Sequence, residues 1–233
     1  MIKGYIFDYG GTLDTGGQHW GKVIWHAYER QQVPVSEAQF RDAYVHGERT
    51  LGKNPIINPD FTFKRTQEEK IRIQLANLSG LEAKAEDVRV TLPGYQARLV
   101  DDLYALTCAE TARSREVLLQ LKQHYPMVLV SNFYGNIATV LKEFGLDGIF
   151  GTIIESAVVG VRKPDPQIFV LGVEALGLQP DEVIVVGDSM DKDIVPASKA
   201  GCHTIWFQGE GWTDDPVDAS QADKVITRLN EIL

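Results

Sequence analysis

The sequence predicts an α/β fold, a doubly wound parallel sheet, with a helical cap domain inserted after the first strand. In the second half of the chain, short apolar runs without polar alternation are separated by helical patterns. This is typical of a parallel sheet covered by helices on both faces. A similar apolar run opens the chain at residues 3–7. Between these two parts, residues 15–110 show helical periodicity and no such run, which predicts the inserted cap.

The opening run, KGYIF, is rich in β-branched and aromatic residues and predicts a buried strand that ends at Asp8. After it, apolar residues recur at helical spacing and predict the cap helices. These helices are expected over residues 21–33, 37–45, 67–78 and 99–106. The stretch GKNPIINPD, residues 52–60, predicts an irregular loop between them.

From residue 111 onward, helices and strands are predicted to alternate. The apolar runs predict strands over residues 127–130, 152–154, 183–186 and 204–207. Helices are expected near residues 114–123, 137–144, 166–176 and 194–200, with a last amphipathic helix at the carboxyl end. We therefore predict a catalytic core formed by residues 1–14 and 111–233, and a cap formed by residues 15–110.

The composition narrows the classes of function. With 32 acidic and 23 basic residues, the formal net charge is −9, which disfavours binding to nucleic acid or to an anionic membrane surface. Cys108 and Cys202 lie far apart without metal-ligand spacing, so neither a disulfide framework nor a zinc site is predicted. The amino terminus does not have the pattern of a signal peptide. We expect a cytoplasmic protein with a small-molecule substrate, and the sequence predicts no oligomeric state.

Polar side chains follow three of the predicted strands, and a basic loop precedes a helix. Because the carboxyl ends of parallel strands meet at one edge of a sheet, these residues are expected to converge there. They are Asp8 with Thr12, Ser131 with Asn132, Asp188 with Ser189 and Asp193, and Lys163 in the loop GVRKPDP. Taken alone, Asp193 has an alternative interpretation as the cap of the following helix. Two carboxylates facing each other across strand ends, in contrast, require a cation between them.

Together these residues resemble the four motifs of the haloacid dehalogenase superfamily, in the right order and over the whole chain. The matching segments are Asp8-Tyr9-Gly10-Gly11-Thr12, Ser131 in VLVSNF, Lys163 in GVRKPDPQIF, and Gly187-Asp188 through Asp193. The resemblance implies a hydrolase in which Asp8 attacks the substrate and a bound Mg²⁺ supplies positive charge.

The same resemblance implies a role for each residue. The expected Mg²⁺ ligands are Asp8, the backbone carbonyl of Gly10, and Asp188, with Asp193 in support. Lys163 is expected to neutralise the nucleophile and the phosphoryl oxygens. Substrate oxygens are expected to bind Ser131 and its neighbour Asn132, while Thr12 orients the nucleophile loop.

One residue departs from the family pattern. The family's phosphatases carry an aspartate two residues after the nucleophile, which protonates the leaving oxygen, and Gly10 stands there in this chain. Our first hypothesis is a magnesium-dependent hydrolase of a small phosphorylated metabolite. It would have either a substitute acid, such as Asp14, His19 or a cap residue, or a substrate whose leaving group needs little help. The alternatives are a haloacid hydrolase, a phosphonate hydrolase that uses a cap lysine such as Lys53, and a weakly catalytic protein that binds a phosphate-bearing ligand.

Overall fold

The computed structural model describes residues 1–82 and 92–233, and the centre of the fold is a six-stranded sheet. Its strands are β1 (Gly4–Phe7), β2 (Met127–Ser131), β3 (Thr152–Glu155), β4 (Val183–Gly187), β5 (His203–Phe207) and β6 (Lys224–Ile226). All of them are parallel, in the order β3-β2-β1-β4-β5-β6. The chain thus winds outward from β1 in both directions, which confirms the predicted fold class.

Apolar side chains fill both faces of the sheet, because successive residues of a strand point to opposite sides. Tyr5 and Phe7 of β1 belong to the cluster on one face, and Ile6 belongs to the cluster on the other. Helices from the second half of the chain supply further members of these clusters. They are α5 (Ile137–Glu143), α7 (Gln167–Leu176) and α8 (Val195–Lys199), whereas the short helix α6 (Ser156–Val159) directly follows β3.

The region between β1 and β2 is helical, as predicted. Its helices are α1 (Trp20–Arg30), α2 (Glu37–Lys53), α3 (Phe63–Glu82) and α4 (Gln96–Leu121), with a short 3₁₀ turn at Leu92–Tyr95. A hydrophobic cluster of its own joins them and includes Ile24, Tyr28, Phe40, Ile71 and Leu103. The division into a cap of residues 15–110 and a core remains a prediction, and residues 83–91 of that cap lie outside the described part of the chain.

Helix α4 joins two helices that the sequence pattern separated. We expected one helix to end near residue 106 and another to begin near residue 114, but a single helix of 26 residues spans both. Its sequence contains neither Gly nor Pro, so nothing in it interrupts the backbone hydrogen bonds. Leu103 packs in the cap cluster and Leu118 in a sheet cluster. No helix in the described ranges is long and apolar enough to cross a membrane.

The expected amphipathic helix at the carboxyl end is wrong. That segment instead forms strand β6 and a 3₁₀ turn at Leu229–Ile232. β6 pairs with β5, so that Phe207 lies opposite Ile226, and both Ile226 and Leu229 are buried against the sheet. Pairing satisfies the backbone groups of the β5 edge, which an isolated terminal helix would have left open.

Candidate active site

Three acidic side chains meet at the carboxyl end of the sheet. Asp8 directly follows β1, Asp188 directly follows β4, and Asp193 lies in the turn after it. Because β1 pairs directly with β4, the first two come from adjacent strands. Ligand oxygens of the three carboxylates lie within 4.8 Å of one another. The structure therefore brings these sequence-predicted residues together.

Lys163 inserts its ammonium group among these acids. Its Nζ lies 2.5 Å from Asp8 Oδ1 and 2.7 Å from Asp193 Oδ1, and donates to both. The lysine is only 5% exposed. Burial by itself would lower the pKa of Lys163, but Asp193 and Asp8 outweigh this effect and raise it. Lys163 is thus a charged partner of Asp8 and Asp193 rather than a solvated loop residue.

The Thr12 hydroxyl connects the ends of β1 and β4. It accepts a hydrogen bond from the Asp188 backbone N–H at 3.0 Å and donates to Asp188 Oδ1 at 2.9 Å. Asp8 Oδ2 lies 3.3 Å away. Next to it, Gly11 has a φ of 101°, and a Cβ there would come within 2.5 Å of the Asp188 carboxylate. Only glycine allows this close approach of the loop to the acid.

Asp193 is held in a single π-helical turn, Met190–Ile194, of the kind often found at functional sites. Its Oδ2 accepts a hydrogen bond from the Ser189 N–H at 3.0 Å, and its Oδ1 accepts from Lys163. The following helix, α8, has no side-chain cap. Asp193 therefore pairs with the buried lysine and does not cap that helix.

Asn132 binds the backbone of the lysine loop. Its Nδ2 donates to the Lys163 carbonyl oxygen, and its Oδ1 accepts from the Lys163 N–H, both at 3.0 Å. The side-chain amide thereby fixes the loop that carries the ammonium group. Ser131 is buried at the end of β2 and lines the cavity. No hydrogen bond involves its hydroxyl among the residues that the structure describes.

The electrostatics of the cluster favour a divalent cation. Burial raises the pKa of Asp8 to about 6, although Lys163 acts to lower it. Burial, followed by the charges of Asp193 and Asp8, raises the pKa of Asp188 well above its usual range. Three carboxylates face one ammonium group, which leaves two uncompensated negative charges when all are ionised. Carboxylate oxygens are the ligands that Mg²⁺ prefers, so the residues fit that ion.

A cavity of about 660 Å³ opens from these acids toward the cap helices. On its cap side, Lys70 Nζ lies 2.8 Å from Glu48 Oε1, and the Tyr134 hydroxyl donates to Glu48 Oε2 at 2.8 Å. Gln67 also lines it, with a buried Oε1 that has no hydrogen-bond partner in the described residues. Glu48, Gln67 and Lys70 were not predicted from the sequence.

A signal for part of this cap side is present in the sequence of α3. Several polar residues recur at helical spacing on the same face as Ile71, Leu75 and Leu78, and all of them are buried. These are Thr66, Gln67, Lys70 and Gln74. Polar residues on the apolar face of an amphipathic helix indicate a polar partner or a cavity.

Comparisons with known proteins agree with this geometry. The family of haloacid dehalogenase-like hydrolases matches residues 2–201. A phosphoglycolate phosphatase from Pectobacterium atrosepticum is 28% identical over the whole chain and 91% of its own length. A glyceraldehyde 3-phosphate phosphatase from Pyrococcus furiosus is 32% identical over 53% of each chain.

Solved structures show the same fold. The HAD-hydrolase YfnB from Bacillus subtilis superposes with a TM-score of 0.60 and 18% identity, covering 99% of this chain and 96% of that one. A dehalogenase gives a TM-score of 0.62 at 18% identity, with 99% and 95% covered. The family match covers most of the sequence and includes every residue of the acidic cluster and its lysine. The chain belongs to the haloacid dehalogenase-like hydrolases.

Proposed function

We propose that this hydrolase is a magnesium-dependent phosphatase that uses Asp8 as a nucleophile on a small phosphorylated metabolite. The observation that carries the proposal is the buried group of Asp8, Asp188 and Asp193 around Lys163, at the base of the cavity. A carboxylate nucleophile divides one difficult displacement at phosphorus into two easier ones. The phosphatase names of the sequence relatives support a phosphate ester as the substrate.

Each residue has a physical task in this proposal. Asp8 attacks phosphorus, and Lys163 offsets the repulsion between the attacking carboxylate and the phosphoryl oxygens. The hydroxyl of Ser131 is available to donate to one of those oxygens. Asn132 positions Lys163 through its backbone, and Thr12 positions Asp8 and Asp188. Asn132 thus acts through Lys163, although it was expected to bind substrate directly.

The ligands proposed for Mg²⁺ are Asp8, the carbonyl oxygen of Gly10, and Asp188. Asp193 supports this site from beside Lys163: its Oδ1 accepts from the Lys163 ammonium group and its Oδ2 from the Ser189 N–H, so we assign it to holding Lys163. The ion supplies positive charge that stabilises the developing charge on the phosphoryl group.

Two observations favour a phosphate ester over a phosphonate. A phosphonate hydrolase of this family uses the neutral amine of a cap lysine. Burial alone would lower the pKa of Lys70, but Glu48 outweighs burial and raises it, so this amine stays protonated. Lys53 lines the cavity but is exposed to solvent.

A substrate screen tests the proposal. Purified protein with Mg²⁺ is assayed against a panel of phosphomonoesters, phosphonoacetaldehyde and 2-haloacids. We expect phosphate release from at least one phosphomonoester, loss of that activity in excess chelator, and recovery with added Mg²⁺. Cleavage of a haloacid in chelator would contradict the assignment, as would a protein inert toward every phosphomonoester.

A second prediction concerns the metal site. Asp188→Asn keeps an acceptor for the Thr12 hydroxyl but removes one of three crowded negative charges. We expect the variant to be at least as stable as the wild type without Mg²⁺. The rise in melting temperature on adding Mg²⁺ should be largely lost, because a ligand stabilises a fold only as far as it binds.

Thermal denaturation across a Mg²⁺ titration measures both effects. Asp191→Asn is the matched control, since Asp191 is exposed on the same turn and outside the cluster. This control should keep the wild-type response to Mg²⁺. An unchanged response in Asp188→Asn would remove that residue from the proposed ligand set.

A further inference from the structure

The space around Gly10 could hold a side chain. A Cβ built on Gly10 has no neighbour closer than 3.9 Å, and the atoms at that distance are Cδ1 and Nε1 of Trp20. Its φ also lies outside the left-handed region that favours glycine, unlike that of Gly11. A side chain would therefore fit at residue 10, beside the edge of the Trp20 indole ring. Lack of space therefore does not explain why residue 10 has no side chain that could carry a proton.

The carboxyl group of Asp14 lies next to the same edge of the Trp20 indole ring. Trp20 Nε1 donates to Asp14 Oδ2 at 3.1 Å, so Asp14 lies one hydrogen bond beyond the atom that borders residue 10. Asp14 Oδ1 accepts from the Gly11 N–H at 2.7 Å. The residue has no measurable solvent-exposed surface and lies in the wall of the cavity, with Asp8 and Gly10. Asp14 thus belongs to the nucleophile loop and lies in the wall of the reaction space, directly behind the Trp20 indole edge.

We propose that Asp14 is the proton carrier of this enzyme, in place of the carboxyl group that Gly10 lacks. The inference rests on the phosphatase function proposed above. In the first step an Asp8 oxygen bonds to phosphorus, the bond from phosphorus to the leaving oxygen breaks, and the Asp14 proton passes to that oxygen. In the second step water attacks phosphorus and gives a proton back to Asp14. The bond between Asp8 and phosphorus then breaks, and inorganic phosphate leaves.

The protonation states around the cavity agree with this assignment. Burial raises the pKa of Asp14 to about 8, with Asp8 raising it further and the Gly11 N–H, Trp20 and Lys70 lowering it. Asp14 therefore carries a proton at neutral pH. It can lose this proton and regain it within one catalytic cycle, as a general acid requires.

The other acids considered for this role fit less well. Burial lowers the pKa of His19 to about 4, and its Nδ1 accepts from the Gly21 N–H, so the ring is neutral at physiological pH. For Glu48, burial alone would raise the pKa, but Lys70 and Tyr134 outweigh it and lower the pKa. Glu48 is therefore a carboxylate held in an ion pair.

The test compares leaving groups. Whichever alkyl phosphate the screen identifies is assayed beside 4-nitrophenyl phosphate, whose leaving group needs no proton. Asp14→Asn should lower kcat/KM for the alkyl ester by roughly 10²-fold or more, and for the aryl ester by less than about threefold. For the aryl ester kcat should fall while kcat/KM is kept, because attack by water on the phosphorylated Asp8 still needs the base.

A pH profile gives an independent readout. A general acid must be protonated, so wild-type kcat/KM for the alkyl ester should fall above pH about 8. The aryl ester should lack that fall, and so should Asp14→Asn. Adding Gly10→Asp to Asp14→Asn should restore at least tenfold of the lost alkyl activity, since it returns a carboxyl group beside Trp20.

A purely structural effect of Asp14→Asn can be distinguished from the loss of a general acid. In Asp14→Asn the NH₂ group of the new side-chain amide would face either the Trp20 N–H or the Gly11 N–H, donor against donor in both orientations. Trp20→Phe leaves one orientation free of this conflict. The inference is overturned if Asp14→Asn keeps its activity on the alkyl ester. It is also overturned if Asp14→Asn loses kcat/KM equally on both esters and Trp20→Phe restores both. A wild-type protein that is inactive on every phosphomonoester would instead overturn the proposed function. The same assays therefore distinguish failure of the proposed function from failure of the assignment of Asp14.

Discussion

Asp8→Asn should abolish turnover, with a loss in kcat of roughly 10⁴-fold or more. The amide is nearly isosteric with the carboxylate, so its single oxygen can still accept from Lys163 while its NH₂ group takes the place of Oδ2 beside the Thr12 hydroxyl. It cannot, however, form a bond to phosphorus. Steady-state phosphate release measures the loss.

Mass spectrometry of acid-quenched enzyme adds a direct readout of this step. During turnover, wild-type protein should carry one phosphoryl group on Asp8, and Asp8→Asn should carry none. The folding control is the melting temperature, with Asp191→Asn as the matched acidic substitution at an exposed residue. Wild-type rates in a folded Asp8→Asn variant would rule out the mechanism.

Lys163→Met should damage both catalysis and stability. Methionine has a similar length and no charge, so Asp8 and Asp193 lose their shared partner at a buried site. Breaking a buried pair in this way costs about 3–5 kcal/mol of unfolding free energy. We also expect kcat to fall by roughly 10³-fold, because the attack brings an anion toward an anion.

The stability loss in Lys163→Met should depend on pH. Lys163 lowers the pKa of Asp8, so its removal raises that pKa further above the value in the unfolded chain. A group whose folded-state pKa is raised supports the fold below its unfolded pKa and loses that contribution as pH rises. Urea denaturation without Mg²⁺ should therefore show a larger destabilisation at pH 8 than at pH 5.

Lys199→Met provides the control for this experiment, because Lys199 is exposed in α8 and takes part in no ion pair among the described residues. Its unfolding free energy should stay within about 0.5 kcal/mol of the wild type at both pH values. Equal destabilisation of Lys163→Met at pH 5 and pH 8 would show that packing, not charge, accounts for the effect.

Residues that follow strand ends could be placed from the sequence alone. Apolar runs that end at Asp8, Ser131 and Asp188 predicted parallel strands, and the parallel topology by itself brings their ends together. Lys163 lies in a loop, and only its resemblance to a family motif indicated that it joins them. The structure places its ammonium group between two of the acids.

Other parts of the site depend on contacts between distant segments, which no local pattern encodes. Glu48 and Lys70 pair across α2 and α3, and Tyr134 reaches Glu48 from the loop after β2. Asn132 follows a strand like a substrate-binding residue, yet its amide bonds to the backbone of Lys163. The carboxyl-terminal segment has helical spacing, but the open edge of β5 determined its structure.

The continuity of α4 has a consequence for how the protein unfolds. Leu103 anchors one part of this helix in the cap cluster, and Leu118 anchors another in a sheet cluster. If either cluster unfolds, backbone hydrogen bonds break in α4, which the other cluster also stabilises. The two clusters should therefore lose structure in one cooperative transition. Trp25 packs against Phe40 among the cap helices, and Trp206 lies in β5. Each test variant keeps either Trp25 or Trp206 and has its other tryptophans replaced by phenylalanine. Within each variant, tryptophan fluorescence and circular dichroism should therefore give the same urea midpoint.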